Sequence, residues 1–437
     1  MILGKGREEV PLVGCRVLLD VRPLQDPEHA PVTAEYLRRL LGAYAATPLA
    51  GETIVPFLQG GLDDPTDSIP GLSIAKRRWL PATRIFRSGS LTLDPFFMRG
   101  AVIGTRRGVR EGGGVGIVAH AVGGAVPIGP ALAVVASLLD LAPWELPDQY
   151  QRSPAARFGQ RLRGQLLRDA QAVLVASPSV ARAAARLLHL RADRIHVVPL
   201  AGADALAPLP PAGTFEGEDA RERLRAERER YGVGERYFVY AGRFDARQDL
   251  ATMLEALARM GAAGRPARLA KVHAWPPRIL VVNVSPDDRA SLAREAAAAG
   301  VGDCFAYAPG VSRENAALLT SGARAAIHPV LADATALTAL DALATGTPVV
   351  AGAVGALGDM VGTAGLLVEP RDPDRLAIAL RAAWAEDHVH GAIAEAAAAA
   401  GAPGRRTWAD VARETRAVYV VVAGRRENLA AAAKQQG

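Results

Sequence analysis

Short β-branched apolar runs alternate with amphipathic helical stretches almost from one end of the chain to the other. In the first half, RVLLDV (16–21), ETIVPFL (52–58), GIVAHAV (116–122), AVVASLLDL (133–141), AVLVAS (172–177) and RIHVVPL (194–200) read as strands, with helices around 33–46, 153–170 and 178–190. Strands separated by helices imply parallel sheets covered by those helices. The pattern breaks at 206–232, where Pro, Gly and Ala give way to a charge-dense helix, and this segment reads as a linker. It then restarts with YFVYAGR (237–243), RILVVNVS (278–285), CFAYAPG (304–310), RAAIHPV (324–330), PVVAG (348–352) and GLLVEP (365–370). The domains expected are therefore 1–205, a linker 206–232, 233–404, and a helical tail 405–437. In that tail Trp408, Val411, Ala412, Thr415 and Tyr419 recur at helical spacing, a face suited to bracing the first domain. Two Rossmann-like halves facing one another across a cleft is the economical architecture, with ligands at the carboxyl ends of the strands.

Composition narrows the class. The 437 residues, 50% hydrophobic and 22% charged, suffice for two ordinary cores and argue against disorder. Cys15 and Cys304 stand far apart with no Cys/His cluster, so neither a disulfide scaffold nor a structural zinc site fits, and a reducing cytoplasm is the simpler home. Arg7, Glu8 and Glu9 interrupt the place where a signal peptide needs its apolar run. From Gly112 to Leu139 no acid, Lys or Arg occurs, yet Pro127, Pro130 and the Gly123–Gly124 pair split the stretch into two short buried strands rather than a membrane helix.

Charge is concentrated. Nine basic residues and one acid, Asp94, lie between Lys76 and Arg110, interleaved with Trp79, Phe86, Phe96 and Phe97. Such a mixture suits an anionic lipid surface at the inner face of a membrane or a phosphate-bearing acceptor, and equally a solvated loop region. A second basic stretch carries Arg152, Arg157, Arg161, Arg163 and Arg168, with Phe158, Leu162 and Leu166 four apart, as an amphipathic helix with a cationic face. No nucleic-acid-binding signature accompanies the charge. His388 and His390 lie too close together, without a third ligand, to argue a metal.

The chemistry concentrates in HPVLADATALTALDALATGTPVVAG. A strand ends at Val330, Asp333 follows, a helix carries Asp341, and Gly346, Thr347 and Pro348 turn into the next strand. A helix opening near Thr335, Ala336 and Leu337 aims backbone N–H groups at a diphosphate. The eight positions between the acids amount to about 12 Å at most, a span compatible with one carboxylate at a sugar and the other at a ribose.

This segment resembles the retaining glycosyltransferases of family 4, group 1 in another nomenclature, mannosyltransferase-like branch. The resemblance implies a GT-B fold, α/β, with two facing Rossmann-like domains and an interdomain cleft. It also implies a nucleotide-diphosphate sugar as co-substrate, a glycan or lipid-linked hydroxyl acceptor, and neither metal nor other cofactor. Asp333 and Asp341 stand where the family has two Glu, each one methylene shorter. In YFVYAGRFDARQDLATMLEAL, Arg243 matches the family's diphosphate-binding Arg, Gln248 replaces its Lys, and Arg247 is adjacent. Gln248 fits a capping box with Asp245 equally well. In LLDLAPWELP, Leu139 replaces the family's His beside Asp140, leaving His120 as a substitute acceptor-side residue or as a structural one. The resemblance makes Asp333 and Arg243 the catalytic pair. Arg243, Arg247, Gln248, Thr335, Ala336, Leu337 and Asp341 become donor-binding, with His120 and Asp140 on the acceptor side. The accumulated departures define the rival reading, a catalytically degenerate homologue that binds a nucleotide, glycan or partner.

Overall fold

The computed structural model describes residues 14–81, 90–107, 116–129, 133–241 and 244–435. The chain divides into two compact units, Met1–Pro199 with Trp408–Gly437, and Leu200–Thr407.

The first unit is built on seven parallel strands: β1 (Arg16–Asp20), β2 (Thr53–Gln59), β3 (Arg78–Leu80), β4 (Ile117–Val122), β5 (Ala133–Ser137), β6 (Ala172–Val175) and β7 (Ile195–Val197), in the order β3-β2-β1-β4-β5-β6-β7. The central strands are buried along almost their whole length, as continuous apolar runs between two helical layers must be. Leu18 of β1 lies opposite Val55 of β2 and Ala119 of β4. The uncharged stretch 112–139 contributes β4 and β5, and among the described residues no helix is long and apolar enough to cross a membrane. Edge strand β3 escapes the hydrophobic pattern because it has three residues and its Trp79 is 52% exposed.

Helix Trp408–Gln435 belongs to this unit. Trp408, Val411, Ala412, Thr415 and Tyr419 are all buried, and Trp408 meets Tyr36 edge-on at 5.7 Å. Arg416 forms a buried ion pair with Glu52 at 2.6 Å and stacks on Tyr44.

The second unit carries six parallel strands: β8 (Phe238–Ala241), β9 (Ile279–Val282), β10 (Phe305–Ala308), β11 (Ala325–His328), β12 (Val349–Gly352) and β13 (Gly365–Val368), in the order β10-β9-β8-β11-β12-β13. Its core runs from Phe238 and Ile279 through Leu257 and Leu380 to Trp384, whose ring meets Phe238 edge-on at 5.0 Å. The segment expected as a linker holds helix Phe215–Arg230, capped by Thr214 and packed on this unit through Leu224, which fills the space left by Gly322. Its single buried stripe explains the charge density that made it read as a spacer.

Candidate functional site

In the second sheet the strand order reverses between β8 and β11, the topological position at which open parallel sheets bind ligands, outside the carboxyl ends of the strands. The loop after β8 is laced to the loop after β11. The Asp249 amide donates to the Pro329 carbonyl at 2.8 Å, the Leu331 amide to the Arg247 carbonyl at 2.6 Å, and Gln248 bridges Val330. A third loop, after β12, closes on the same point: the Ala356 amide donates to the Asp333 carbonyl at 2.8 Å. Gly355, at φ +52°, sits so close to that carbonyl that a Cβ would lie 1.8 Å from its oxygen.

Asp333 is the centre of this arrangement. Its Oδ1 accepts from the Thr335 amide at 2.8 Å, the Thr335 hydroxyl at 3.0 Å and the Ala336 amide at 2.8 Å. Its Oδ2 lies 3.0 Å from Nε2 of His328, at the end of β11. Burial pushes the carboxyl up, but the hydrogen bond and electrostatic pull of His328 and the two amides outweigh it and hold the carboxyl at about 2. These bonds also hold Ala336 at φ 56°, a left-handed conformation that a non-glycine residue adopts only under constraint, just before helix Leu337–Ala344. The amides expected to face a phosphate at Thr335 and Ala336 are thus engaged by the chain's own carboxylate, and the Leu337 amide faces the Thr335 hydroxyl at 3.5 Å. Asp341, on the same helix, accepts from the Ala203 amide at 2.9 Å.

On the β8 side, Arg243 lies outside the described residues. The capping box between Asp245 and Gln248 does not form. Asp245 instead accepts from the Arg247 amide at 2.8 Å and pairs with its guanidinium at 2.5 Å, and the helix begins only at Leu250. Gln248 turns toward the sheet, where its Oε1 accepts from the Tyr240 hydroxyl at 2.7 Å. Asp249, 8% exposed, spends its carboxylate on the Thr252 hydroxyl at 2.7 Å and the Arg371 amide at 2.7 Å.

Residues 235–386 match the family described as glycosyl transferases group 1. That span is a glycosyl transferases group 1 domain. Over longer stretches, the chain is 32% identical to a D-inositol 3-phosphate glycosyltransferase of Geodermatophilus obscurus across 278 residues, 61% of this chain and 58% of that one. It is 31% identical to the protein of the same name from Xylanimonas cellulosilytica across 301 residues, 65% of this chain and 64% of that one. The chain therefore spans less than two thirds of either relative. Among solved structures, HepE of Anabaena in complex with UDP and glucose superposes with a TM-score of 0.65 at 14% identity, covering 93% of this chain and all of that one. With the two parallel sheets, this likeness establishes the GT-B fold.

Every donor-side residue singled out from sequence, from Arg243 to Asp341, falls inside the glycosyl transferases group 1 domain. Of these, the structure brings Asp333, Thr335 and Ala336 into one hydrogen-bonded turn, with Leu337 at its end, while Gln248 bridges Val330 in the same loop after β11. The sequence reading missed His328. Its one signal is a polar side chain closing an apolar run, RAAIH, five residues before the acid.

In the first unit, His120 is a core residue, 1% exposed. Its Nε2 lies 2.8 Å from the Ser137 hydroxyl and its Nδ1 2.6 Å from that of Tyr419, and burial lowers its pKa to about 3. Sealed and neutral, with both ring nitrogens engaged, it offers nothing to an acceptor, which corrects its acceptor-side assignment. Asp140 follows β5 and accepts from the Ala142 amide at 2.9 Å.

The basic surface differs from its sequence count as well. Arg77 pairs with Asp64 and Asp67, acids that precede the region counted, while Arg84, Phe86, Arg87 and Arg110 lie outside the described residues. Arg163 points inward, stacks on Trp144 and donates to the Gly123 carbonyl at 2.8 Å. Phe158 does not join Leu166 in the core. It stands 58% exposed beside the exposed Arg157 and Arg161, because Gly159 is the position packed against Leu91.

Proposed function

We infer that the chain transfers a sugar, with retention of configuration and without a metal, from a nucleoside diphosphate donor to the hydroxyl of a glycan or lipid-linked acceptor. The observation that carries this reading is the ionised Asp333, held rigidly beside the switch point of the glycosyl transferases group 1 domain, at the carboxyl ends of β8 and β11. In this scheme Asp333 faces the donor sugar, Asp341 the ribose, and Arg243, with Arg247 and Gln248 nearby, the diphosphate. The acceptor binds on the side of Asp140. The hydroxyl attacks from the face the leaving group departs, and a departing phosphate oxygen takes its proton. Fixed charges stabilise that step, so no side-chain base is required and the loss of His120 from the scheme removes nothing essential. The relatives' names and the UDP and glucose bound by HepE support the donor class.

Leu93, Phe96 and Phe97 lie exposed at i, i+3 and i+4 on helix Ser90–Arg107, which packs against the helix of Phe158, Arg157 and Arg161. This aromatic and cationic face supports peripheral work at an anionic membrane, where a lipid-linked acceptor resides.

One observation favours the rival reading of a binding protein without turnover: the amides of Thr335 and Ala336, expected to take a phosphate, are engaged by Asp333. Incubation with UDP-, GDP- and ADP-sugars, following nucleotide release beside thermal shift, decides between them. Turnover lost in Asp333→Ala supports transfer, whereas binding without release, indifferent to that substitution, supports the rival.

A further inference from the structure

The geometry points to His328 as a positioning residue that aims the Asp333 carboxylate at the donor sugar, an inference that rests on the donor reading above. Packing alone does not account for an imidazole here. β11 is buried throughout, His328 is 6% exposed, and its Nδ1 is buried with no hydrogen-bond partner among the described residues. An apolar side chain would close the strand without stranding a nitrogen. What the imidazole does contribute is Nε2, 3.0 Å from Oδ2 of Asp333.

That contact adds a hold on the second carboxylate oxygen. The three bonds to Oδ1 all come from Thr335 and Ala336, in the same turn as Asp333 itself. Rotation about the terminal carboxylate bond is intrinsically broad and moves both oxygens of the planar group together, so the aim of the whole carboxylate is steadied by an anchor outside the turn. His328 supplies it from a different element, a rigid strand end. Because the partner is a carboxylate oxygen, Nε2 is the proton-bearing side of this contact and donates. Oδ2 keeps one further lone pair, and His328 contributes to fixing its direction. In a side chain one methylene shorter than Glu, reach is fixed by the turn, which leaves aim as the property to control.

The test compares His328→Leu, His328→Gln, Asp333→Asn and the double variant His328→Leu/Asp333→Asn by calorimetry, using UDP-, GDP- and ADP-glucose and the matching free diphosphates. His328→Leu is expected to weaken the nucleotide sugar five- to tenfold while leaving the free diphosphate unchanged. His328→Gln, which keeps an N–H donor, should recover most of the loss, and in the Asp333→Asn background the histidine substitution should have no further effect. Equal weakening of sugar nucleotide and free diphosphate, or a loss that persists in Asp333→Asn, overturns the proposal. A readout independent of any donor is the ring nitrogen spectrum of His328 by long-range nitrogen–proton NMR. A protonated Nε2 that changes state on Asp333→Asn supports the contact, and a spectrum indifferent to that change overturns it. If none of the sugar nucleotides binds the wild type, the donor reading fails on its own, and the NMR result still decides whether His328 holds Asp333.

Discussion

Replacing Asp333 by Asn tests the electrostatic centre of the second unit through its dependence on pH. The carboxyl titrates at about 2 in the folded protein against a reference value of 3.8. A folded pKa below the unfolded one means stability that is fully present above the unfolded value and lost as pH falls through the folded one. The shift corresponds to on the order of 2 kcal/mol at neutral pH, about half of it gone by pH 3. The side chain is 13% exposed, so solvent screening takes little from that figure. Urea unfolding at pH 6 and pH 3, read by pulse-labelled hydrogen exchange of peptides covering 325–345, reports this unit alone. Asp333→Asn is expected to be less stable than the wild type by roughly 2 kcal/mol at pH 6, with the gap closing by about half at pH 3. Asparagine keeps an acceptor for the amides but carries no charge for His328 to meet. A gap that stays constant between the two pH values, or the absence of one at pH 6, refutes the assignment of the charged hydrogen bonds as the source.

Three other outcomes follow from the same geometry. Gly355→Ala places a Cβ 1.8 Å from the Asp333 carbonyl oxygen at φ +52°. It should cost more than about 2 kcal/mol and weaken nucleotide-sugar binding at least tenfold, checked by thermal unfolding and calorimetry. Arg416→Met leaves Glu52 charged and buried without its partner at 2.6 Å, and should destabilise the first unit by about 3–5 kcal/mol in urea unfolding; a loss under about 1 kcal/mol would mean the pair is dispensable. Phe96→Ser with Phe97→Ser, and separately Arg157→Glu with Arg161→Glu, should each lower co-sedimentation with phosphatidylglycerol vesicles severalfold, the arginine pair alone losing its effect at high salt. Sedimentation unchanged in both pairs removes the membrane from the scheme.

What the amino-acid order determined by itself is the layering. A parallel strand buried on both faces must be a short continuous apolar run, and a helix on its flank must be amphipathic. The expected runs at 16–21, 52–58, 237–243 and 324–330 therefore announce themselves without any partner. The acids at 333 and 341 and the turn before β12 were legible for the same reason, since their spacing is local. What only the tertiary structure decided is where long-range partners lie. Three-residue β3 exists because β2 offers it an edge, and Arg77 is neutralised by acids outside its own region. Arg163 faces inward because Trp144 and the Gly123 carbonyl receive it. His120 belongs to the core because a hydroxyl from a helix almost three hundred residues away reaches its ring. The joining of the loop after β11 to the loops after β8 and β12 likewise depends on strand order. Hydrophobic period records which face of an element is buried; it carries no information about which element lies against that face, and the aim of a buried polar group is set by that neighbour alone.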